Sequence, residues 1–201
     1  MKKLPLSFYI EKDVIAIARL LLGKIVYTNF DGLTTSGRIV ETEAYVGTTD
    51  QASHAFGGRR TLRNEHMYHG PGTAYIYVCY GVHQMLNIVT NEEGVPDAVL
   101  IRGIEPLKGI DIMSKRTGKK PQDVTITRGP GNLGKAFGIH KNYSGELLSG
   151  EVIYLIDDGY ILPDKMIGVS SRIGVESAGA DALLPYRFYI KGNKYVSGKN
   201  K

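Results

Sequence analysis

Cysteine is all but missing from the 201-residue chain: Cys79 stands alone. One thiol forms no internal disulfide and closes no cysteine-based zinc site. Tryptophan is absent, so aromatic surface rests on 13 tyrosines and 5 phenylalanines. Long apolar runs are missing too. No stretch approaches the ~20 apolar residues that span a bilayer. The opening MKKLPLSFYIEKD has its apolar run broken by Pro5, Ser7 and Glu11, too short for the core of a signal peptide. A cytoplasmic, reducing location is expected. There is no internal repeat, linker or low-complexity tract. Acid is in slight deficit, with 25 Lys+Arg against 20 Asp+Glu and a formal net charge of +5. That excess suits an acidic partner such as nucleic acid, or simply a basic surface. What is present is 42% hydrophobic residues and 25 glycines, which suits one domain over residues 1–201 built from short elements and many turns.

Asp13 is placed to cap a helix running to Leu22, with Gly23 as its stop. KIVYTNFDGLTTSGRIVETEAYV reads as two strands around an Asp31-Gly32 turn. A polar, Gly-rich stretch from Gly47 to Gly72 reads as a long loop, functional or mobile. Thr73 to Asn91 is β-branched and aromatic and reads as a long hairpin or two bent strands around Gly81. AVLIRGIEPL is a buried-type strand, GIDIMSKRTG a helix, TRGPGNLGKAFGI a turn leading into a short helix, and EVIYLIDD and PYRFYIKG are late strands. These elements lack a βαβ rhythm. The expected fold is therefore α+β: a single mixed domain with a curved, mainly antiparallel sheet and packed helices.

Four groups of residues carry chemistry. Within RIVETEAYVGTTDQASH, Glu41 and Glu43 lie two apart, so a strand presents them on one face with Ile39 and Tyr45. Apolar neighbours raise a carboxyl's pKa toward that of a general base; a solvated strand face is the plainer alternative. Tyr68, Tyr75, Tyr77 and Tyr80 crowd together, either as core packing or as a platform for nucleobases and cationic ligands. His66 and His69 have helical metal-ligand spacing but no matching carboxylate, so no metal is expected; His54 is near enough to the glutamate strand to share its cleft. Arg59, Arg60, Arg63, Arg102, Arg128 and Arg172 are available for phosphates, and RGPGN before a helix offers backbone N–H groups to an anion.

LLGKIV, GRIVETEAY, the following His54, Arg60-Thr61-Leu62-Arg63-Asn64, PGTAYIYVCYGVHQMLN, AVLIRGIEPL, TRGPGNLGKAFGI and RIGV occur in one order along the chain. In that order they resemble the alkyladenine (3-methyladenine) DNA glycosylases, the methylpurine-DNA glycosylase type, from about Leu20 to about Tyr189. The resemblance implies base-excision repair on double-stranded DNA. An alkylated purine would be flipped out and its N-glycosidic bond hydrolysed, leaving an abasic site. Lesions in range would be 3-methyladenine and 7-methylguanine, then hypoxanthine and etheno-adenine. Glu43 takes the role of catalytic base, with Glu41 in support. Tyr45 and His54 wall the base pocket, and Tyr77 stacks in it. Tyr80 is the wedge that fills the gap left in the duplex. Asn87 crowds the amine of undamaged guanine, Arg102 lies near the attacking water and the target phosphate, and the Ile173 carbonyl holds that water. Arg59, Arg63, Arg128 and Arg172 are expected along the DNA backbone. The resemblance also implies a protruding β-hairpin, a monomer, and neither metal nor cofactor. Asn132 and Ser171 depart from the family pattern, where Lys and Pro are common.

No lysine lies in these motifs as an amine nucleophile, so strand cleavage is not expected. Two other readings stand beside this one. One is a non-catalytic module that binds damaged DNA or RNA. The other is a sugar hydrolase using Glu41 and Glu43 as a carboxylate pair. The tail Lys191–Lys201 is expected to touch DNA or hang free.

Overall fold

The computed structural model describes residues 2–198. The strands are β1 (Lys2–Lys3), β2 (Ile25–Phe30), β3 (Leu33–Tyr45), β4 (Ala74–Cys79), β5 (His83–Thr90), β6 (Asp97–Lys108), β7 (Ile153–Asp157), β8 (Ile167–Ser170) and β9 (Arg187–Ile190). The α-helices are α1 (Leu6–Tyr9), α2 (Val14–Leu20), α3 (Ile110–Thr117) and α4 (Pro130–Phe137). The strands form one curled sheet in the order β1-β7-β2-β3-β6-β5-β4, with β9 joining β3 and β8 joining β9. All the strand pairs are antiparallel. The expected α+β architecture is present.

Local chemistry explains the elements that bear on the site. Asp13 starts α2 by accepting the N–H groups of Ile15 and Ala16 at 2.9 and 3.0 Å. Asp31 and Gly32 both have positive φ, the geometry that turns β2 tightly into β3. β3 is the spine. One edge pairs with β2 and then, at Glu41–Glu43, with β9; the other pairs with β6. The ladder to β6 shifts register around Glu41, so the strand bends where the two carboxylates sit.

The core lies between this sheet and the helices. Ile17, Ala18 and Leu21 pack with Ile39, Val40, Ala44 and Ile101, all fully buried. Thr42, on the helix side of β3, donates its hydroxyl to the Ala18 carbonyl at 2.7 Å. With Val40, Thr42 and Ala44 facing helix and core, Glu41 and Glu43 face the other way. The Gly47–Gly72 stretch is not loose. It contains 3-10 turns at Phe56–Gly58 and Glu65–Tyr68, and Ala55, Met67 and Tyr68 pack with Tyr75, Val89 and Ala98 in a second apolar cluster. Its glycines hide buried anchors that keep it in place.

Through Gly198 the C-terminal segment does not hang free. Within Lys191–Lys201, Val196 is fully buried and Ser197 hydrogen-bonds Glu41, so the segment to Gly198 is folded onto β3 and β6. Its remaining residues, 199–201, lie outside the described residues. No helix among the described residues is long and apolar enough to cross a membrane.

Candidate active site

Glu41 and Glu43 are both fully buried, and Arg102 from β6 bridges them. Glu41 is saturated. It accepts Arg187 Nε at 2.7 Å, Arg102 Nε at 3.2 Å, and both the N–H and the hydroxyl of Ser197 at 2.8 Å. Gly103 makes room for this: a Cβ there would lie 2.8 Å from the Tyr195 carbonyl and 3.1 Å from Glu41. Burial alone would raise the Glu41 carboxyl, but Arg102, Arg187 and the Ser197 N–H outweigh it and hold it below the ordinary range. Four donors, two of them from guanidiniums, hold this carboxylate ionised and away from the cavity, which argues against a hydrolase that uses both glutamates on a sugar.

Glu43 is held differently. Oε1 accepts only the Ile173 N–H, at 2.8 Å. Oε2 accepts the Tyr45 hydroxyl at 2.9 Å and Arg102 Nη1 at 3.2 Å. A carboxylate offers about four acceptor positions, so one on Oε1 is free. Burial dominates and raises its carboxyl above the ordinary range, against the pull of Arg102, the Ile173 N–H and the Tyr45 hydroxyl; the Glu41 charge adds to the rise. Two glutamates on one strand are thus driven in opposite directions, one toward permanent ionisation and one toward basicity.

In front of Glu43 lies a cavity of about 340 Å³. Its walls include Tyr45, His54, Tyr75, Tyr77, Asn87 and Arg102, with Ile173, Gly174 and Val175 on the opposing loop. Glu43 is not itself on the wall. It sits behind Tyr45, Arg102 and Ile173, the three residues that donate to it. Tyr75 and Tyr77 stack with centroids 5.5 Å apart, and the His54 ring meets Tyr77 edge-on at 4.5 Å. His54 Nδ1 and the Tyr75 hydroxyl share a 2.8 Å hydrogen bond, which fixes the imidazole. Burial and the charges of Arg63 and Arg59 push His54 down to about 4, so it is neutral at pH 7. Burial also pushes Tyr77 up to about 12. Asn87 is buried, its Nδ2 donating to the Tyr75 and Met85 carbonyls at 3.2 and 3.3 Å.

At the mouth, β4 turns into β5. Tyr80 and Gly81 both have positive φ, and the Val82 N–H returns to the Cys79 carbonyl at 3.2 Å, so Tyr80 occupies the first corner of a tight hairpin turn. Tyr80 is 86% exposed. A tyrosine with φ of 49° is uncommon, and the conformation carries its ring out into solvent.

The structure therefore brings Glu43, Tyr45, His54, Tyr77, Asn87, Arg102 and Ile173 around one cavity, with Tyr80 at its rim. Arg59 and Arg63 are exposed on the long loop, and the Arg63 guanidinium lies 5.6 Å from the Tyr77 ring. Arg128 is half-buried just before α4, where Asn132 donates to its carbonyl at 3.0 Å. Arg172 corrects an expectation. Its side chain is fully buried and forks onto Asp50, out of reach of a DNA phosphate. His66 and His69 face each other edge-on at 4.8 Å, with His66 bonded to Ser144; no group of three or more metal-ligating residues occurs among the described residues. Sequence reasoning missed Arg187, Ser197 and Asp50. Of these only Arg187 left a trace, as a cation inside the apolar strand PYRFYI.

The stacked Tyr75 and Tyr77 rings and the edge-on His54 make this cavity suited to a flat aromatic ligand. Residues 7–194 match the family model described as Methylpurine-DNA glycosylase (MPG). A Clostridium perfringens (strain 13 / Type A) protein is 44% identical over 98% of this chain and 100% of its own length. A Desulfitobacterium hafniense (strain Y51) protein is 41% identical over 99% and 100%, and a Bacillus subtilis (strain 168) protein 43% identical over 96% of each. All three carry the provisional name 3-methyladenine DNA glycosylase. The chain belongs to the methylpurine-DNA glycosylase family: it is a DNA glycosylase, a hydrolase of N-glycosyl bonds that acts on DNA.

Proposed function

We propose that this enzyme extrudes an alkylated purine, 3-methyladenine or 7-methylguanine, from duplex DNA and hydrolyses its glycosidic bond with a water activated by Glu43. The observation that carries the reading is the free acceptor position on a buried, basic carboxylate directly behind an aromatic cavity. Extrusion costs a few kcal/mol, and the exposed ring of Tyr80 fills the vacated space. Tyr45, Tyr77 and His54 then surround the base. Ring alkylation makes the purine cationic, which favours π-rich walls and makes the base a good leaving group without acid help. What remains is delivery of water to an electron-poor sugar carbon. Glu43 orients and deprotonates that water and stabilises the positive sugar, while the Ile173 carbonyl and Arg102 fix its place. Because Glu43 has no exposed surface, a wall group gives way as water reaches Oε1. Asn87 narrows the pocket against undamaged guanine.

The test is incubation with methylated duplex, scored for free methylpurine and for intact abasic strands. The wild-type protein should release base without nicking. Glu43→Gln should cut release by roughly 10²–10⁴-fold while lesion binding survives. Unchanged release by Glu43→Gln would overturn the mechanism, and lesion binding with no release by the wild type would favour a non-catalytic module.

A further inference from the structure

We propose that the buried Asp50–Arg172 pair is the positioning element of this active site, setting the Tyr45 ring and the Ile173 amide against Glu43. This rests on the base role proposed for that glutamate. The pair is fully enclosed, with side-chain exposures of 1% and 0%. Its connections run to each part of the Glu43 cradle except Arg102. Arg172 Nη1 donates to the Ala44 carbonyl at 2.9 Å, between Glu43 and Tyr45 on β3. Nη1 also meets Asp50 Oδ2, and Nη2 reaches Asp50 Oδ1 at 2.8 Å and the Asp181 carbonyl at 3.1 Å. The guanidinium lies 4.8 Å from the Tyr45 ring centroid and 5.3 Å from that of Tyr186. The next residue along, Ile173, donates the only hydrogen bond to Glu43 Oε1.

Asp50 extends the tie to the long loop. It also accepts the N–H groups of Val46 and Ala52, at 3.2 and 2.9 Å; Val46 directly follows Tyr45 at the end of β3, and Ala52 lies two residues before the pocket residue His54. One ion pair thereby anchors the end of β3, the loop that carries His54, and the loop that forms the opposite wall. Arg172 Nε is buried without a partner. The guanidinium is thus oriented by Asp50 and two tyrosine faces at the expense of one N–H. Neither residue lines the cavity, so both act through Tyr45 and Ile173.

Loss of the pair should loosen the Ile173 N–H and the Tyr45 hydroxyl, both of which lower the Glu43 pKa. Arg172 is itself within Coulomb reach of Glu43, and Arg172→Lys keeps that positive charge, so this variant isolates the loosened donors; the remaining groups facing Glu43 are unchanged, Arg102 on β6, Glu41 on its own strand and Tyr77 on β4. The acid limb of the rate profile must then move to higher pH. The experiment is single-turnover release from dimethyl-sulfate-treated duplex by wild type, Asp50→Asn, Arg172→Lys and Glu43→Gln, with duplex binding, melting temperature and pH profile in parallel. The folded variants of the pair should lose about 10- to 100-fold in rate, the scale of a small misplacement of reacting groups. Binding should stay within about threefold, and the acid limb should shift upward. Wild-type release by either folded variant, or a slower rate with an unmoved acid limb, would overturn the proposal. Failure of both variants to fold would assign the pair to the core and overturn it equally. If Glu43→Gln keeps wild-type release, the base role itself fails; if only the pair variants keep it, this inference alone falls.

Discussion

Glu41 and Glu43 share a strand, a face, complete burial and one arginine, yet their surroundings give them opposite tasks. Glu41 is matched by two guanidiniums and by both donors of Ser197. Glu43 has a share of one guanidinium, a phenol and an amide, and keeps one acceptor position open. The lesson is that burial alone does not create a general base. Burial with incomplete pairing raises the carboxyl's pKa toward the range a base needs, and the Glu41 charge adds to the rise. Glu41 also hydrogen-bonds Arg102 and Arg187, so the cation beside Glu43 is held by its neighbour on the strand.

The largest expected effect separates the two by stability. Glu41→Gln leaves Arg102 and Arg187 undercompensated in the interior, and breaking such a buried network costs about 3–5 kcal/mol. Denaturant unfolding at neutral pH measures it, and a loss below about 1 kcal/mol would place Glu41 in the class of surface ion pairs. Glu43→Gln, by contrast, removes a carboxylate whose charge is disfavoured by burial. Its stability at neutral pH should equal or exceed that of the wild type.

The pH dependence has opposite signs. Glu41 has a folded pKa below its ordinary 4.5, so its contribution is full above that value and is lost as pH falls through the folded pKa. Glu43 has a folded pKa above 4.5, so it favours folding below 4.5 and loses that contribution as pH rises through the folded pKa. The advantage of Glu43→Gln over wild type should therefore shrink as the solution is acidified. An advantage that grows with acid would reverse the assignment.

The smallest effect lies outside both networks, at the hairpin tip. Tyr80→Gly relieves a left-handed tyrosine and should stabilise the fold by up to about 1 kcal/mol. It should also weaken lesion binding if the exposed ring fills the duplex as proposed. Calorimetry and a duplex-binding assay read the two together; a destabilised Tyr80→Gly would show that the ring is packed rather than presented.

Much of this was legible in the sequence because it is local. Period two put Glu41, Glu43 and Tyr45 together, Asp13 marked the start of α2, and Asp31-Gly32 and Tyr80-Gly81 marked their turns. The ordered motifs gave the family. What could not be read depends on partners far along the chain. Arg187 and Ser197 reach Glu41 across 146 and 156 residues, and Asp50 reaches Arg172 across 122. An arginine read by itself looks like a phosphate contact; only the fold shows that Arg172 is spoken for. The long loop was read as functional or mobile; it does line the cavity, but it is anchored, since its glycines are visible locally while the cluster that Met67 and Tyr68 join is not.

In the proposed mechanism, ionisation of Glu43 turns the enzyme on. The direct measurement is the pH profile of single-turnover base release, taken on wild type and on Glu43→Gln. The expected result is an acid limb in the wild type with its midpoint above 4.5, and a slow residual rate in Glu43→Gln that lacks this limb. The same limb in both proteins would contradict the account.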